Sequence, residues 1–343
     1  MIYRSRAPLR IGLAGGGTDV SPFSDMFGGA ILNATINYYA YASITPRDDG
    51  RIIIHAADKK QRLEYEPTKH IDVSSGDLLL QKGVYNRIIR DFVNEPLGLE
   101  LITSVDAPAG SGLGSSSTLV VAIIGAFVEW LELPLGEYDI ARLAYSIERE
   151  DLAMAGGKQD QYAATFGGFN FMEFFENEKV IVNPLRIKQE ILQEVEFHLL
   201  LFYTQTSRES AKIIEEQQAN VLSKRKESLE ATKNLKEGAF MMKEALLKGE
   251  LTKIGEILNH GWHHKKQMAK GITNPLIDKI YNTAMEAGAS GGKISGAGGG
   301  GYMFFYCPGN SRYDIIEAMD QQGAVRQRYN FLDRGLTTWI SKK

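Results

Sequence analysis

A segment rich in glycine and serine has the composition of a phosphate-binding loop. It reads Pro-Ala-Gly-Ser-Gly-Leu-Gly-Ser-Ser-Ser from Pro108 to Ser117, between a strand-like stretch (99–104) and an apolar run with helical spacing (119–131). Glycines let the backbone approach a ligand, and a helix N-terminus presents unpaired N–H groups with a partial positive charge. We therefore expect this segment to hold phosphate through Pro108, Gly110, Ser111, Gly112, Leu113, Gly114, Ser115, Ser116 and Ser117.

The structural alternative for this segment is a Gly-Ser turn followed by an ordinary N-cap. Three consecutive serines exceed what capping needs, because one hydroxyl is enough to cap a helix. The additional hydroxyls suit phosphate oxygens or a neutral ligand for Mg²⁺. No Gly-Lys-Ser/Thr ends the segment, so it is not a Walker A loop.

Two further glycine-rich loops flank this one in the chain. The first runs from Arg10 to Asp19 and places a cation and a carboxylate around a flexible backbone, although Asp19 alone would also suit a turn. The third, Lys293 to Gly301, fits the spacing G-x-G-x-x-G. It leads into a strand-like run (302–306), whereas a dinucleotide fingerprint opens a helix, so that interpretation fails. Alone, the third loop is equally typical of a tight β connection.

The bulk composition excludes several classes of function. With 343 residues, 43% apolar and 24% charged, the chain is long enough for about two globular domains. The net charge of −3 offers no general field for nucleic acid or an anionic membrane. The longest apolar stretch (119–128) is too short to span a bilayer, and no signal-type apolar region is expected near the N-terminus. We expect a cytoplasmic enzyme.

Two other chemically capable groups are better explained by structure. The single cysteine, Cys307, lies in an apolar run and is expected to be a buried strand thiol. His260, His263 and His264 have helical spacing but lack an acidic cluster, so they are expected on a surface rather than around a metal.

The periodicity predicts strand-rich elements first and helix-rich elements later. Strands are predicted at 30–44, 51–54, 61–65, 99–104, 169–175, 180–182, 195–203 and 302–306. Helices are predicted at 78–93, from the serines to 131, at 138–154, over most of 207–247 with breaks at Gly238 and Gly249, and at 276–287. The order indicates two α+β domains, 1–184 and 185–343, meeting where Asn183-Pro184 interrupts the pattern.

The three loops together resemble the ordered motifs of the GHMP kinases. These motifs are Pro8-x-Arg10 with Gly-Gly-Gly-Thr18-Asp19, then Pro108-x-x-x-Gly-Leu-Gly-Ser-Ser-Ser, then Lys293-Ile-Ser-Gly-Ala-Gly-Gly-Gly-Gly301. The first segment is similar to that of galactokinases, but Gly16 and Gly17 replace the usual Glu-His pair. The string from Gly15 to Val20, with Phe27-Gly-Gly29 and Asn37-Tyr-Tyr-Ala-Tyr41, resembles the branch of anomeric sugar kinases that phosphorylate heptose 7-phosphate or fucose.

The resemblance implies a fold and an activity. The fold is an N-terminal domain with a left-handed βαβ unit and a C-terminal ferredoxin-like domain, with ATP and Mg²⁺ between them. The activity is transfer of the ATP γ-phosphate to the anomeric hydroxyl of a small sugar or sugar phosphate, with D-glycero-D-manno-heptose 7-phosphate as the favoured acceptor. A fucokinase-like monosaccharide kinase and a non-catalytic sugar sensor are the alternatives, and the oligomeric state is open between monomer and homodimer.

The resemblance also assigns roles to individual residues. Asp160, in Gly156-Gly-Lys-Gln-Asp160-Gln, would orient or deprotonate the sugar hydroxyl, with Arg10 beside it. Glu148 and Ser116 would hold Mg²⁺, with Glu150 and Asp151 as competing carboxylates. The residues expected to bind the substrate are Gly16, Gly17, Thr18, Asp19 and Gly298, with Lys158, Arg208 and Lys212 as candidates for a second phosphate.

Overall fold

The computed structural model describes residues 1–206 and 210–342 and places them around two sheets. The larger sheet has eight strands, in the order β12-β1-β2-β5-β3-β4, with β6 paired to β2 and β7 paired to β6. Its strands are β1 (Ile2–Ala14), β2 (Gly29–Pro46), β3 (Ile52–Ala56), β4 (Gln61–Tyr65), β5 (Leu99–Val105), β6 (Phe169–Phe174), β7 (Val180–Pro184) and β12 (Thr337–Ser341). The long strand β2 organises the sheet, because its first half pairs with β6 and its second half with β5.

Helices cover this sheet and carry the loops of the site. They are α1 (Phe23–Phe27), α2 (Leu79–Ile88), α3 (Ser115–Leu131), α4 (Glu137–Ser146) and α5 (Gln159–Phe166), and π-helical segments extend α2 (Ile89–Val93) and α4 (Ile147–Asp151). The apolar run of α3 is almost wholly buried and packs on β1 and β2. This anchors the N-terminus of α3, where the three serines lie. Strands β3 and β5 are parallel and are joined through β4 and α2, which gives the helix-containing crossover that the resemblance implied.

The second sheet has four antiparallel strands in the order β11-β8-β10-β9. They are β8 (Leu199–Tyr203), β9 (Gly291–Ile294), β10 (Tyr302–Tyr306) and β11 (Val325–Gln327). The accompanying helices are α6 (Gln189–His198), α7 (Ser210–Leu222), α8 (Lys226–Lys248), α9 (Leu251–Met268), α10 (Pro275–Glu286) and α11 (Arg312–Gln321). Helices separate β8 from β9 and β10 from β11, so the chain follows the β-α-β-β-α-β order of a ferredoxin-like unit. The expected two-domain α+β fold is confirmed.

Four predicted elements differ from the structure. One of them, the helix predicted at 78–93, is α-helical over Leu79–Ile88 and π-helical over Ile89–Val93. Residues 195–198 form the last turn of α6, and the strand begins only at Leu199. The apolar pattern was misleading there because Phe197 is exposed. Gly238 does not interrupt α8, since it lies within the helix with open space around it, whereas Gly249 ends that helix at φ +71° as expected. The helix predicted at 138–154 is α-helical only to Ser146 and then π-helical to Asp151.

The last strand crosses back to the first half of the chain. Thr337–Ser341 pairs antiparallel with Ile2–Arg6 of β1 and lies at the edge of the eight-stranded sheet. The proposed division into 1–184 and 185–343 therefore has one exception, because this segment adds a strand to the N-terminal sheet. Within the described residues, no helix combines the length and apolar character needed to cross a membrane.

Candidate active site

The three glycine-rich loops meet at a cleft of about 700 Å³. Its floor and walls come from both halves of the chain, since residues of the N-terminal sheet face α7, α9 and the loop after β9. The residues that line it are Arg10, Gly17, Asp19, Val20, Ala109, Gly110, Gly112, Gly114, Ser115, Ser116, Ser117, Glu148, Arg149, Met154, Ala155, Gly156, Gly157, Gln159, Asp160, Ala211, Ile214, Gln217, Lys265, Gly296 and Ala297.

The second loop forms an anion cradle at one end of the cleft. Gly110, Gly112 and Gly114 have φ values of +72°, +83° and +78°, a left-handed conformation that favours glycine. All three serines, 115 to 117, line the cleft in the first turn of α3, where N–H groups lack intrahelical acceptors. Of the other residues expected to bind phosphate, Leu113 and Ser111 are fully buried, and neither they nor Pro108 line the cleft.

The third loop and the first residue of the strand after it support the cradle by hydrogen bonds to its backbone carbonyls. The N–H of Tyr302 donates to the carbonyl of Ser111 at 3.0 Å, and the hydroxyl of Ser295 donates to the carbonyl of Gly112 at 2.8 Å. A Cβ on Gly112 would lie 2.3 Å from the Ser295 carbonyl oxygen. The glycines are therefore needed because two backbones come closer than side chains allow. Gly298 packs against Ile272 rather than lining the cleft.

Asp160 and Arg10 form an ion pair at the centre of the cleft. The Nε and Nη2 atoms of Arg10 lie 2.7 and 2.6 Å from the same oxygen, Oδ1 of Asp160. A third nitrogen of the guanidinium, Nη1, donates to the carbonyl of Gly112 at 2.6 Å, which ties the pair to the cradle. The second oxygen, Oδ2, accepts no hydrogen bond from the described residues, and a Cβ on Gly114 would lie 3.2 Å from it. Asp160 therefore presents a free carboxylate oxygen beside the N-terminus of α3.

Asp19 lies next to this pair and is held by the start of α5. Its carboxylate accepts a 3.0 Å hydrogen bond from the backbone N–H of Gln159, and it is only 1% exposed. Burial raises the pKa of Asp19 above its ordinary value, and the neighbouring Asp160 charge adds to that shift, while the Gln159 N–H opposes it. A Cβ on Gly157 would lie 1.9 Å from Oδ2 of Asp19, so the carboxylate occupies the space that glycine leaves open.

Glu148 is the carboxylate that reaches the cradle. Its Oε1 accepts a hydrogen bond from the hydroxyl of Ser117 at 3.0 Å, and Gln161 donates to both Glu148 and Ser117. Burial raises the pKa of Glu148, and the nearby Arg149 charge opposes that shift. The expected partner, Ser116, lines the cleft, but Ser117 is the serine that contacts the carboxylate.

The two competing carboxylates do not reach the cradle. Asp151 pairs with Arg87 and Arg90 at 2.8 and 3.3 Å, and Glu150 accepts only a hydroxyl hydrogen bond from Ser146 among the described residues. Neither of them lines the cleft. Hydroxyl and carboxylate oxygens are hard donors, and Mg²⁺ in kinases typically takes one or two of these plus phosphates and water. The side chains of Glu148 and the serines fit that ion.

Several residues expected to bind the substrate lie elsewhere in the structure. The hydroxyl of Thr18 both donates to and accepts from the backbone of Ala30, at 2.9 and 3.1 Å. Lys158 is buried against Asp25 at 3.2 Å and does not line the cleft. Gly16 contributes its carbonyl to Lys265, and Gly17 lines the cleft. Arg208 lies outside the described residues.

The structure also agrees with the expectations for Cys307 and the histidines. Cys307 is buried in the second sheet, and burial raises the pKa of its thiol to about 12, which keeps it protonated. His260 and His263 are exposed on α9, and His264 is half-buried there in contact with His260, which agrees with the expected surface position.

Four polar or charged side chains of the cleft were not predicted as site residues from the sequence. They are Arg149, Gln159, Gln217 and Lys265. The sequence contains a pattern that could have identified Lys265. Its spacing places it on the same helical face as Ile254, Leu258 and Trp262, and that face of α9 is buried. A lysine in line with three buried apolar positions indicates a buried cation. The other three lacked any pattern that separates them from ordinary surface residues.

Comparison with known proteins agrees with this geometry. Residues 79–168 match the family described as GHMP kinases N terminal domain, and residues 242–325 match GHMP kinases C terminal. The chain is 48% identical over 336 residues to D-glycero-alpha-D-manno-heptose 7-phosphate kinase of Campylobacter jejuni, covering 98% of both chains. The chain belongs to the GHMP kinases.

Two further relatives place this GHMP kinase within the family. The crystal structure of a D-glycero-D-manno-heptose 1-phosphate kinase from Bacteroides thetaiotaomicron is 44% identical and superposes with a TM-score of 0.85, covering 99% of this chain and all of that one. The L-fucokinase/L-fucose-1-P guanylyltransferase of Bacteroides fragilis is 25% identical over 95% of this chain but only 36% of its own length. The similarity to heptose phosphate kinases therefore exceeds that to the fucokinase.

Proposed function

We propose that this GHMP kinase transfers the γ-phosphate of ATP to the anomeric hydroxyl of a sugar phosphate, with D-glycero-D-manno-heptose 7-phosphate as the acceptor. The observation that carries the proposal is the orientation of Asp160. One of its oxygens is held by two N–H groups of Arg10, and the other faces the cradle at Gly114. A hydroxyl placed between that free oxygen and the phosphates in the cradle would be positioned for transfer.

In this mechanism each residue of the centre has a distinct role. Oδ2 of Asp160 accepts the hydrogen bond, and then the proton, of the attacking hydroxyl. Arg10 fixes the carboxylate and places positive charge beside the transferred phosphoryl group, where negative charge is spread over the equatorial oxygens. Asp19 is buried beside Asp160 and accepts hydrogen bonds from hydroxyls of the sugar.

The nucleotide lies against the second loop in this proposal. Its phosphates accept hydrogen bonds from the N-terminal N–H groups and serine hydroxyls of α3. When bound, Mg²⁺ would be held by Glu148 and an adjacent serine hydroxyl, and it would neutralise charge on the β- and γ-phosphates. Arg149 lies beside Glu148, with its Nη1 3.9 Å from Oε1, and limits the negative charge at this end.

The proposal extends to the setting in which the enzyme works. ATP and phosphorylated sugars are cytoplasmic metabolites, so we place the protein in the cytoplasm with a small-molecule sugar phosphate as its acceptor. Its oligomeric state stays open between monomer and homodimer. A fucokinase-like specificity and a non-catalytic sugar sensor are the competing functions. The charged pair at Asp160 and the carboxylate at Glu148 favour catalysis over sensing, because binding alone does not need a base beside the phosphate cradle.

One assay tests the proposal directly. The protein is incubated with ATP, Mg²⁺ and a panel containing heptose 7-phosphate, mannose, galactose and fucose, and ADP release is followed. We expect turnover with heptose 7-phosphate at a kcat/KM at least 100-fold above the other sugars, with phosphate appearing at C1 by ³¹P NMR. Turnover on fucose without turnover on heptose phosphate would support the fucokinase alternative, and no ADP with any sugar that binds would support the sensor.

A further inference from the structure

A cationic pocket lies against the first loop. Gly17, Asp19, Gln217 and Lys265 line the cleft there, and Ala211 and Ile214 of α7 line the same cleft. A Cβ on Gly17 would lie 3.1 Å from Nζ of Lys265 and 3.3 Å from Oε1 of Gln217, so both side chains converge on the first loop. Glycine at position 17 makes this approach feasible.

The contacts between residues give the order of groups along the cleft. Gly114 of the cradle lies next to Asp160. Gln159 precedes Asp160 in the chain, and its backbone N–H donates a hydrogen bond to Asp19. Asp19 in turn lies close enough to Lys265 for their charges to interact. A sugar whose reacting hydroxyl is at Asp160 therefore extends past Asp19 toward Lys265.

Lys265 has unused capacity to bind an anion. It is only 3% exposed, and its ammonium donates one hydrogen bond, at 3.0 Å, to the carbonyl of Gly16. An ammonium carries three donors, so two remain. No carboxylate oxygen lies within 4.0 Å of it in the described part of the chain. Burying a charge without a partner is costly, and a ligand anion would remove that cost.

Gln217 supplies a second unused donor. Its side chain is 4% exposed, and Nε2 has no hydrogen-bond partner among the described residues. A half-turn of the terminal amide exchanges Nε2 with Oε1, which faces Gly17, and would direct N–H groups into the pocket. A buried amide without a partner destabilises the pocket, and a hydrogen bond to a ligand would remove that cost.

The other cations that line the cleft are already engaged. Arg10 is paired with Asp160, and Arg149 donates to the carbonyls of Met154 and Gly157 next to Glu148. Among the described residues that line the cleft, Lys265 is thus the cationic side chain that has no carboxylate partner, and it lies near Asp19, where the sugar is placed. Burial lowers its pKa to about 8, and a bound dianion would raise that pKa again.

We propose that Lys265 and Gln217 bind the phosphate that the acceptor already carries, at the end of the sugar remote from the hydroxyl that is phosphorylated. This inference rests on the proposed function, because it assumes that the acceptor reacts at Asp160. In heptose 7-phosphate the anomeric hydroxyl and the phosphate are at opposite ends of the molecule, as the order of groups along the cleft requires. Charge-assisted hydrogen bonds from an ammonium to phosphate would then select phosphorylated over unphosphorylated acceptors.

The test compares Lys265→Met with the wild type on two acceptors, D-glycero-D-manno-heptose 7-phosphate and the same heptose without its phosphate. We expect KM for the phosphorylated sugar to rise about 10- to 150-fold, the range for losing hydrogen bonds to a charged group, with kcat changed less than about threefold. The KM for ATP and the kcat/KM for the unphosphorylated sugar should stay within about threefold. Gln217→Leu should shift the same preference in the same direction by about 3- to 10-fold.

Lys266→Met is the matched control, because Lys266 is the exposed neighbour of Lys265 on α9 and its ammonium lies 5.6 Å from the centre of the Trp262 ring. It should leave both acceptors unchanged. Replacing Lys265 by methionine removes a buried charge and keeps most of the side-chain volume, so the variant should fold. Calorimetric binding of heptose 7-phosphate without ATP gives a second readout that does not depend on turnover.

The possible outcomes separate the pocket from the reaction. Equal losses on both acceptors, or no loss on either, would overturn the phosphate assignment while leaving the kinase reaction intact. If the wild type releases ADP only with unphosphorylated sugars, the proposed function fails. In that case calorimetry still tests the pocket. Binding of the sugar phosphate to the wild type but not to Lys265→Met would support the pocket, and no binding to the wild type would overturn it.

Discussion

The substitution Asp160→Asn gives the sharpest test of the reaction centre. Asparagine keeps the shape of the side chain and one acceptor oxygen for Arg10, but it removes the charge and the ability to take a proton. General-base catalysis contributes about 10²- to 10⁴-fold, which corresponds to about 3–5 kcal/mol of activation free energy. We therefore expect kcat to fall by at least 100-fold, while the Kd for ATP stays within about threefold because the cradle is formed by other residues.

The surroundings of Asp160 determine how much Asp160→Asn lowers the free energy of unfolding. Removing one member of a buried ion pair costs about 3–5 kcal/mol, but the Asp160 side chain is 25% exposed and an amide oxygen can still accept from Arg10. We expect a loss of about 1–2 kcal/mol in the free energy of unfolding, which denaturant titration would measure. The variant should thus remain folded at 25 °C, since domains are typically stable by about 5–15 kcal/mol.

A second carboxylate provides the matched control for this experiment. Asp151 is also bound by arginines, at 2.8 Å from Arg87 and 3.3 Å from Arg90, but it lies outside the cleft. Asp151→Asn should keep kcat within about twofold of the wild type in the ADP-release assay. A kcat for Asp160→Asn within fivefold of the wild type, with the protein folded, would refute the assignment of Asp160 as base.

Three further substitutions probe the metal end, the sugar end and the buried charges. Glu148→Gln should raise the Mg²⁺ concentration for half-maximal activity about tenfold or more, and an unchanged Mg²⁺ titration would contradict the metal role. Gly157→Ala would place a Cβ 1.9 Å from Asp19, so KM for the sugar should rise about tenfold with KM for ATP unchanged, whereas Gly238→Ala, with open space around it, should keep both. Lys293→Met should flatten the pH dependence of stability. Burial lowers the pKa of Lys293 to about 7, so the folded state loses this proton before the unfolded state does, and stability rises with pH above 7. Denaturation at pH 7 and pH 9 should show that the wild type gains about 2 kcal/mol more than the variant; equal gains would mean that Lys293 is charged at both values.

The glycine-rich loops could be predicted from sequence because their composition follows from local geometry. Left-handed φ values at Gly112 and Gly114, and the close approach of Gly112 to the third loop, leave room for no other residue. From the sequence, the pair Gly156-Gly157 was noted as part of the motif that contains Asp160. In the structure it accommodates the side chains of Arg149 and Asp19, which lie where Cβ atoms would be. The contact between Asp19 and Gly157 joins residues far apart in the chain, so it leaves no local pattern in the sequence.

Strand β12 and the end of α6 were also hard to predict from local sequence. Strand β12 has an ordinary, half-exposed sequence, and it is a strand because β1 offers an edge to pair with. The turn at 195–198 shows the opposite error, since a β-branched and an aromatic residue suggested a strand where α6 continues. For β12, the partner strand rather than the segment itself decides the backbone conformation.

The charges around the first loop bear on the choice of substrate. Arg10, Lys265 and Lys293 are buried there with Asp19, and Asp160 is partly exposed beside Arg10. Positive charge therefore exceeds negative charge by up to one, although the whole chain carries −3. Burial lowers the pKa of both lysines, which means that their charged forms are less stable there than in water. A neutral monosaccharide would leave that arrangement as it is. A sugar phosphate would stabilise the ammonium of Lys265 and recover the free energy that its burial costs, and this gain would be available only to phosphorylated acceptors. On this reasoning the discrimination between a heptose phosphate and fucose begins at α9, before the geometry of the anomeric hydroxyl contributes.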